Sequence, residues 1–312
     1  MKVVVTQIQQ VGADMKLFGL TDAEQRPFSS YLAGAHIDVT TPSGHVRQYS
    51  LCGDPGNRSH LSIMVKREQV SRGGSASMHA LAVGDIVEIG QPRNAFSLAD
   101  DPGPHLLISA GVGITPIISM AHQLASRGEQ FTWLHFARSF HFAELRDALP
   151  LDTFGANLTV EIDLDRRRIP GALTRRISSM GEVRHVYTCG PAEFMNAVRD
   201  VTAKYFPAAK VHAEKFSGSQ RTLERHPFSV RLAATGLTFD VSDTETLLEA
   251  LGRHGVRLPT GCLEGVCGTC VTEVLDGNLV HLDDVLTDDE KCEQKLMCPC
   301  VSRAIGVLTL KL

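Results

Sequence analysis

Six of the eight cysteines in this 312-residue chain fall between positions 262 and 300. The first three, Cys262, Cys267 and Cys270, are separated by four residues and then by two. This C-x4-C-x2-C spacing, completed by a more distant cysteine, is the ligand pattern of plant-type [2Fe–2S] clusters. Thiolates suit that chemistry because they are soft, negatively charged ligands for iron. The spacing therefore predicts an iron–sulfur centre.

The residues around these cysteines bear on the alternatives, which are a zinc site and reduced structural cysteines. Zinc sites usually have two C-x2-C-like pairs, and this segment has one. Gly261, Gly265 and Gly268 allow the backbone to curl around a cluster and to direct N–H groups at sulfur. Three later cysteines are candidates for the fourth ligand: Cys292, Cys298 and Cys300.

A second candidate site is the R-x-Y-S segment formed by Arg47, Tyr49 and Ser50. It resembles the flavin-binding strand of the ferredoxin–NADP reductase superfamily. The resemblance implies that Arg47 pairs with the flavin phosphate, which a guanidinium can bind bidentately. It also implies that Tyr49 stacks on the flavin and that Ser50 bonds near N5/O4, where hydride arrives. The alternative is an ordinary strand with an exposed arginine and a packed tyrosine.

A segment of small residues, 72–77, begins 25 residues after Arg47. As a turn, it could offer backbone N–H groups and hydroxyls to a phosphate, with Gly73, Gly74 and Ser75 as candidates beside Arg72. Glycine–serine turns are also common surface loops. Its position favours the phosphate loop, because related reductases carry theirs at this distance from the R-x-Y-S strand.

A glycine turn lies between an apolar strand at 105–110 and a helix predicted from about 116 to 126. Its candidate residues are Gly111, Gly113, Thr115 and Pro116. A helix N-terminus after a glycine turn can hold a pyrophosphate, and proline suits a first helical turn. The alternative is a plain strand-to-helix turn.

A C-G-P segment, Cys189, Gly190 and Pro191, ends a strand predicted at 183–189. It resembles the motif beside the nicotinamide in the same superfamily, and ligands gather at the carboxyl ends of such strands. Cys189 and Ser50 are therefore the candidate catalytic residues. The alternative for Cys189 is a small buried hydrophobic residue.

The predicted strand 131–137 is followed by Arg138 and Ser139, both candidate cofactor-binding residues. No acidic residue stands there to bind a ribose 2′-hydroxyl. Arg138 could accept a 2′-phosphate, which would favour NADPH, or it could stack on adenine.

Hydrophobic patterning places these sites in three domains, and the predicted fold is multidomain. Residues 1–100 predict an antiparallel β-barrel flavin domain, with strands at 36–40, 46–51, 61–65 and 85–89. Alternating strands and helices in residues 101–220 predict an α/β parallel-sheet nicotinamide domain. After a polar linker at 217–227, residues 227–312 predict an α+β ferredoxin domain of the β-grasp type.

Composition excludes some functions. The formal net charge is -4, which argues against nucleic-acid binding. The longest apolar stretch, 106–121, is interrupted by polar residues and is too short to span a bilayer. The first ten residues lack the apolar core of a signal peptide, so the sequence predicts a cytoplasmic protein without membrane contact.

Taken together, the motifs resemble the family of phthalate dioxygenase and vanillate O-demethylase reductases. The resemblance runs nearly from end to end and includes the segments 34–39, 91–94 and 212–216. It implies FMN rather than FAD, because the ferredoxin domain comes last, and NADH as the donor. It implies Cys300 as the fourth ligand, with 29 residues between it and Cys270, and places Lys66 and Phe216 beside the flavin.

The resemblance also implies a function. NADH delivers two electrons as hydride, whereas an oxygenase takes them singly, so the flavin must divide the pair and the cluster must relay it. The expected partner is a terminal Rieske non-haem iron oxygenase. An electron donor to a cytochrome P450 and a non-catalytic iron–sulfur redox sensor are the alternatives.

Overall fold

A computed structural model of the chain describes residues 1–69, 73–216 and 225–312, apart from the side chains of residues 140 and 141. Arg72 and most of the predicted linker at 217–227 lie outside the described residues. Contacts between Cα atoms divide the chain into two compact units, Met1–Glu214 and Lys215–Leu312. The predicted boundary near residue 100 stays a proposal.

The first sheet is antiparallel and has six strands in the order β4-β3-β6-β1-β2-β5. Its elements are β1 Lys2–Val11, β2 Met15–Asp22, β3 His36–Thr40, β4 Val46–Ser50, β5 Leu61–Lys66, α1 Gly74–His79 and β6 Ile86–Ile89. A bridge between Leu51 and Ile63 joins the two ends of the sheet into a barrel. The four predicted strands are confirmed, β1 and β2 were not predicted, and the small-residue turn proves to contain helix α1.

The second sheet is parallel, in the order β11-β10-β7-β8-β9. Its strands are β7 His105–Ala110, β8 Phe131–Ala137, β9 Leu158–Ile162, β10 His185–Cys189 and β11 Lys210–Glu214. Its helices are α2 Ile114–Arg127, α3 Ser139–Ala148, α4 Ile169–Ile177 and α5 Ala192–Tyr205. Strands β8 and β9 lie on one side of β7, and β10 and β11 lie on the other. In parallel α/β sheets, ligands bind at the carboxyl ends of the strands beside such a reversal of strand order.

The barrel and the parallel sheet share one hydrophobic core. Leu17 and Met64 of the barrel belong to the same buried cluster as Leu107, Trp133 and Tyr187 of the parallel sheet. Burying this apolar surface is what holds the two sheets together as a single unit.

The second unit has a mixed sheet in the order β13-β12-β16-β14-β15, in which β12 and β16 run parallel. Its elements are β12 Phe228–Leu232, β13 Thr238–Val241, α6 Leu247–Arg253, β14 Thr272–Val280, α7 Asp288–Glu293, β15 Leu296–Met297 and β16 Arg303–Leu310. Helix α6 begins with a capping box between Thr246 and Glu249. It buries Leu247 and Leu251 in the core of the sheet, as a β-grasp fold requires.

The predicted fold class is confirmed in its three parts: an antiparallel barrel, a parallel α/β sheet and a C-terminal ferredoxin-type sheet. In the part of the chain that the structure describes, no helix combines the length and hydropathy needed to cross a membrane.

Candidate functional site

The glycine turn after β7 packs directly against the turn after β10. Gly111 has a φ of 53°, in the left-handed region that favours glycine. A Cβ atom at Gly113 would lie 2.3 Å from the carbonyl oxygen of Cys189 and 2.8 Å from the amide nitrogen of Gly190. The structure therefore brings the two predicted nicotinamide segments together, and only glycine fits at position 113.

Helix N-termini follow both turns. Thr115 Oγ1 donates a hydrogen bond to the carbonyl oxygen of Val112 at 3.0 Å and so closes the first turn. Pro116 lies in the first turn of α2, which begins at Ile114, two residues before the predicted start. Pro191 immediately precedes α5. The positive ends of two 14-residue helices thus lie at the carboxyl edge of the sheet, and helix N-termini are suited to hold a pyrophosphate.

Three polar side chains form a row across the carboxyl edge of the parallel sheet. Cys189 on β10 is in register with Ser109 on β7 and with Glu214 on β11. Burial, assisted by the charge of Glu214, raises the pKa of the Cys189 thiol well above its usual value. Cys189 is therefore a neutral thiol at physiological pH.

The barrel reaches this row through Ser50. Its hydroxyl donates a hydrogen bond to Oε2 of Glu214 at 3.4 Å, although the two residues are 164 positions apart. Burial raises the pKa of the Glu214 carboxyl to about 8, and the bond from Ser50 opposes that shift. The candidate flavin strand and the candidate nicotinamide edge therefore meet at a protonatable group.

The proposed phosphate-binding residues of the barrel also converge. A Cβ atom at Gly74 would lie 2.9 Å from Nε of Arg47, so the arginine side chain runs along the first turn of α1. Gly73, the residue before α1, has a φ of 98°. The Ser77 hydroxyl donates a hydrogen bond to Oγ of Ser43 at 3.0 Å beside this turn. One guanidinium, several hydroxyls and a glycine-bounded turn form a fitting cradle for a phosphate.

The remaining flavin candidates lie on or near the same strands. Tyr49 shares a strand face with Arg47, and burial raises the pKa of its phenol. The Ser75 hydroxyl accepts the Glu68 N–H at 3.1 Å, and the exposed Lys66 ammonium is 3.3 Å from the same glutamate's Oε1. Phe216 belongs to the second unit and has an exposed side chain, so its role at the flavin stays a prediction.

An open cleft of about 620 Å³ lies at the carboxyl ends of β8 and β9, beside Arg138. The Asp163 carboxylate accepts the N–H of Ser139 at 3.0 Å and so caps α3. Hydrogen bonds from Ser139 lower the pKa of Asp163, and the charge of Arg138 contributes to the shift. The cleft also contains two basic–acidic pairs: Arg166 with Glu193 at 3.6 Å, and Arg167 with Asp165 at 3.3 Å.

In the second unit, four cysteines are arranged as two pairs. The Cys262 N–H points at Sγ of Cys267 at 3.4 Å, and the sulfur atoms of Cys270 and Cys300 are 3.3 Å apart. Hydrogen bonds between neighbouring thiols lower the pKa of Cys267 and Cys270 and raise the pKa of Cys262 and Cys300, because one thiol of each pair donates to the other. The described residues contain no group of three or more side chains placed for a single metal ion.

The loop that carries the first three cysteines has the shape needed to wrap a cluster. Leu263, Gly265 and Gly268 all have φ between 61° and 73°. A Cβ atom at Gly261 would lie 3.1 Å from Sγ of Cys267 and 2.9 Å from the Thr269 hydroxyl. With two thiol pairs and N–H groups directed at sulfur, these residues would fit a [2Fe–2S] cluster held by four thiolates.

The three candidates for the fourth ligand differ in their surroundings. Cys292 is exposed on α7, whereas Cys298 and Cys300 are both buried. The hydrogen bond with the Cys298 thiol lowers the pKa of Cys270 most, and the bond with the Cys300 thiol comes second. Both thiols therefore border Cys270. Cys300 stays the proposed ligand, and Cys298 is the neighbour that an experiment must distinguish from it.

Two site residues were not singled out from the sequence. Glu214 ends β11, a strand that was not predicted, so its place at the carboxyl edge was not recognised. Asp163 follows β9 directly, whereas an acidic residue for the ribose is expected at the end of β8. The rule applied to Cys189, that ligands gather where parallel strands end, would have identified both.

Comparisons with known proteins agree with this arrangement. The 2Fe-2S iron-sulfur cluster binding domain family matches residues 230–304. Phthalate dioxygenase reductase from Burkholderia cepacia is 34% identical over 307 residues, covering 97% of this chain and 94% of that protein. Vanillate O-demethylase oxidoreductase from Pseudomonas sp. strain HR199 is 36% identical over 309 residues, covering 97% of this chain and 96% of that protein.

A solved structure shows the same likeness in three dimensions. It is described as phthalate dioxygenase reductase, a modular structure for electron transfer from pyridine nucleotides to [2Fe-2S]. The match has a TM-score of 0.77 at 34% identity and covers 100% of this chain and 98% of that one.

Proposed function

This chain belongs to the family of phthalate dioxygenase and vanillate O-demethylase reductases, and we propose that it carries electrons from NADH through FMN and a [2Fe–2S] cluster to a Rieske non-haem iron oxygenase. It is an oxidoreductase that serves as the reductase component of an oxygenase system.

The observation that carries the proposal is the meeting of the two candidate cofactor sites in one unit. Ser50, at the end of the candidate flavin strand, bonds to Glu214 at the edge that also holds Cys189 and the Gly113 turn. Hydride transfer needs donor and acceptor atoms about 3–3.5 Å apart and aligned. The contact between the Ser50 strand and the edge that ends in Glu214 supports that approach.

Bound FMN would accept hydride and release electrons singly, and the cluster would relay them one at a time. Arg47 and the 73–75 turn would hold the flavin phosphate, while Tyr49 would cover the flavin face. The Gly113 turn and the start of α2 would hold the pyrophosphate. Neutral Cys189 would line the nicotinamide site without adding a charge, and Ser50 and Glu214 would hold a proton between them.

The direct test uses the purified full chain. It is expected to carry a flavin, to oxidise NADH and to reduce cytochrome c. A preparation whose visible spectrum lacks flavin bands and that leaves NADH unoxidised would favour the redox-sensor alternative. Reconstitution with a terminal Rieske oxygenase or with a cytochrome P450 separates the two possible partners.

Glu214 predicts a pH dependence. Since its pKa in the fold is about 8, the carboxyl is neutral at pH 7 and ionises as the pH rises through 8. A new negative charge at the carboxyl edge of the sheet opposes the arrival of hydride, so flavin reduction by NADH should slow by about tenfold between pH 7 and 9, equivalent to one pKa unit of coupling. Stopped-flow absorbance at the flavin band measures this rate.

The matched variant is Glu214→Gln, whose side chain has nearly the shape of the protonated carboxyl and stays uncharged at every pH. Its rate should not show the decline above pH 8. The raised pKa also means that folding binds a proton, so wild-type stability should fall progressively as the pH rises from about 4.5 to about 8. A Glu214→Gln profile that parallels the wild type in both measurements would contradict this role.

The charges in the cleft beside Arg138 predict that the protein uses NADH in preference to NADPH. Each of its three arginines, Arg138, Arg166 and Arg167, has a carboxylate nearby, so little positive charge is left for a 2′-phosphate. Neutralising the acids with Asp163→Asn and Asp165→Asn should raise the NADPH-to-NADH ratio of kcat/KM about tenfold, roughly 1.4 kcal/mol. Asp200→Asn, on the exposed face of α5, is the control and should leave the ratio unchanged.

A further inference from the structure

A fully buried carboxylate lies in the loop after β14. The side chain of Asp283 is 0% exposed. Its Oδ1 accepts the Ser302 hydroxyl at 2.8 Å, and its Oδ2 accepts the Leu286 N–H at 3.1 Å. Burying a carboxylate is costly unless hydrogen bonds stabilise it, and here two donors do so. The surroundings of Asp283 are therefore built to hold a negative charge.

Asp283 touches both segments that carry the proposed cluster ligands. A Cβ atom at Gly265, in the cysteine loop, would lie 3.0 Å from Cα and 3.2 Å from Cβ of Asp283. The next residue, Asp284, donates its N–H to the Gly265 carbonyl at 2.9 Å. Ser302, which holds the Asp283 carboxylate, donates its own N–H to the Cys298 carbonyl at 2.8 Å and follows Cys300 by two residues.

Two side chains face the same carboxylate, and one of them, the Lys291 ammonium, opposes its charge. Lys291 Nζ is 3.9 Å from Oδ2 and donates to the Asp283 carbonyl at 2.9 Å. The ring of His281 approaches Oδ1 at 3.4 Å. The closest hydrogen bonds to the carboxylate oxygens, by contrast, come from neutral donors, Ser302 and Leu286.

We propose that Asp283 sets the reduction potential of the cluster, lowering it by its buried negative charge, and that Lys291 opposes this effect. The inference rests on the proposed cluster ligands. Reduction adds an electron, and a fixed anion beside the cluster raises the free energy of the reduced state; net charge is one of the factors that set such potentials. Because Asp283 is buried, salt in the solvent screens this interaction only weakly.

The experiment is a redox titration of the full, cluster-loaded chain, followed by the electron paramagnetic resonance signal of the reduced cluster. In Asp283→Asn, the ratio of reduced to oxidised cluster at a fixed potential should rise about tenfold, a shift of about 59 mV for one electron. Lys291→Gln should shift the potential in the opposite direction. A residue with a purely structural role would not give shifts of opposite sign from opposite charges.

Asp288→Asn, an exposed neighbour in the first turn of α7, is the matched control. Its shift should be smaller and should fade with added salt, whereas that of Asp283→Asn should persist. If Asp283→Asn loses the cluster, Lys291→Gln decides: a lowered potential supports the inference, and an unchanged one overturns it. An unchanged potential in Asp283→Asn with an intact signal also overturns it. A wild-type chain without any cluster signal would instead overturn the proposed function.

Discussion

Cys300→Ser is expected to abolish NADH-dependent reduction of cytochrome c while leaving hydride transfer to the flavin intact. Loss of an outer hydrogen-bond partner can lower the affinity or activity of a metal site by roughly 100-fold. Loss of a ligand should lower cytochrome c reduction by more than that. The sulfur of Cys300 is 3.3 Å from that of Cys270, so serine would leave the second thiol pair incomplete. The activity to compare is NADH–ferricyanide reduction, since ferricyanide can accept electrons directly from a flavin.

Two further cysteines serve as controls for this variant. Cys292→Ser changes an exposed thiol on α7 and should keep both activities and the iron content. Cys298→Ser changes a buried thiol that borders Cys270 and should keep the cluster with an altered spectrum. Loss of iron in Cys298→Ser and its retention in Cys300→Ser would show that the ligand assignment is wrong.

Gly113→Ala is expected to have an equally large effect on the other half of the reaction. The added Cβ would lie 2.3 Å from the Cys189 carbonyl oxygen, a backbone atom that no side-chain rotation can move away. The two turns must then separate, and a misplacement of about 1 Å near reacting atoms can cost roughly 100-fold in rate. Stopped-flow reduction of the flavin by NADH measures the loss.

A matched control shows whether the effect belongs to the site. Gly171→Ala adds the same methyl group in helix α4, where nothing lies within 4 Å of the new atom. It should keep the wild-type rate and the thermal stability. Gly113→Ala that has been reduced with dithionite and then separated from the excess reagent should still pass electrons to cytochrome c if the damage is confined to the nicotinamide site. A wild-type rate of NADH oxidation in Gly113→Ala would refute the packing described for the two turns.

The two variants together separate the halves of the proposed path. One interrupts electron delivery after the flavin, and the other interrupts hydride arrival before it. Each therefore serves as the other's control for a general loss of folding. Cys300→Ser should keep flavin reduction by NADH, and Gly113→Ala should keep cytochrome c reduction when dithionite replaces NADH as the electron source.

The sequence alone was enough for features that depend on near neighbours along the chain. Cys262, Cys267 and Cys270 lie within nine residues, and their spacing limits where their sulfur atoms can point. The parallel sheet was equally predictable, because alternating apolar strands and helices with short connections leave few other arrangements. Strands with clear patterns were found, whereas β1, β2 and β11 were not, because their apolar residues alternate less regularly or their segments are short.

Tertiary structure decided the contacts between distant residues. Ser50 meets Glu214, Gly113 meets Cys189, and Asp283 meets Gly265 because strand register and shared burial bring those segments together. The pKa of Glu214 depends on the same packing, since desolvation exists only once the chain has closed around the carboxyl. Local spacing thus determined which groups this chain has for redox chemistry, and long-range packing determined which of them meet and with what charge.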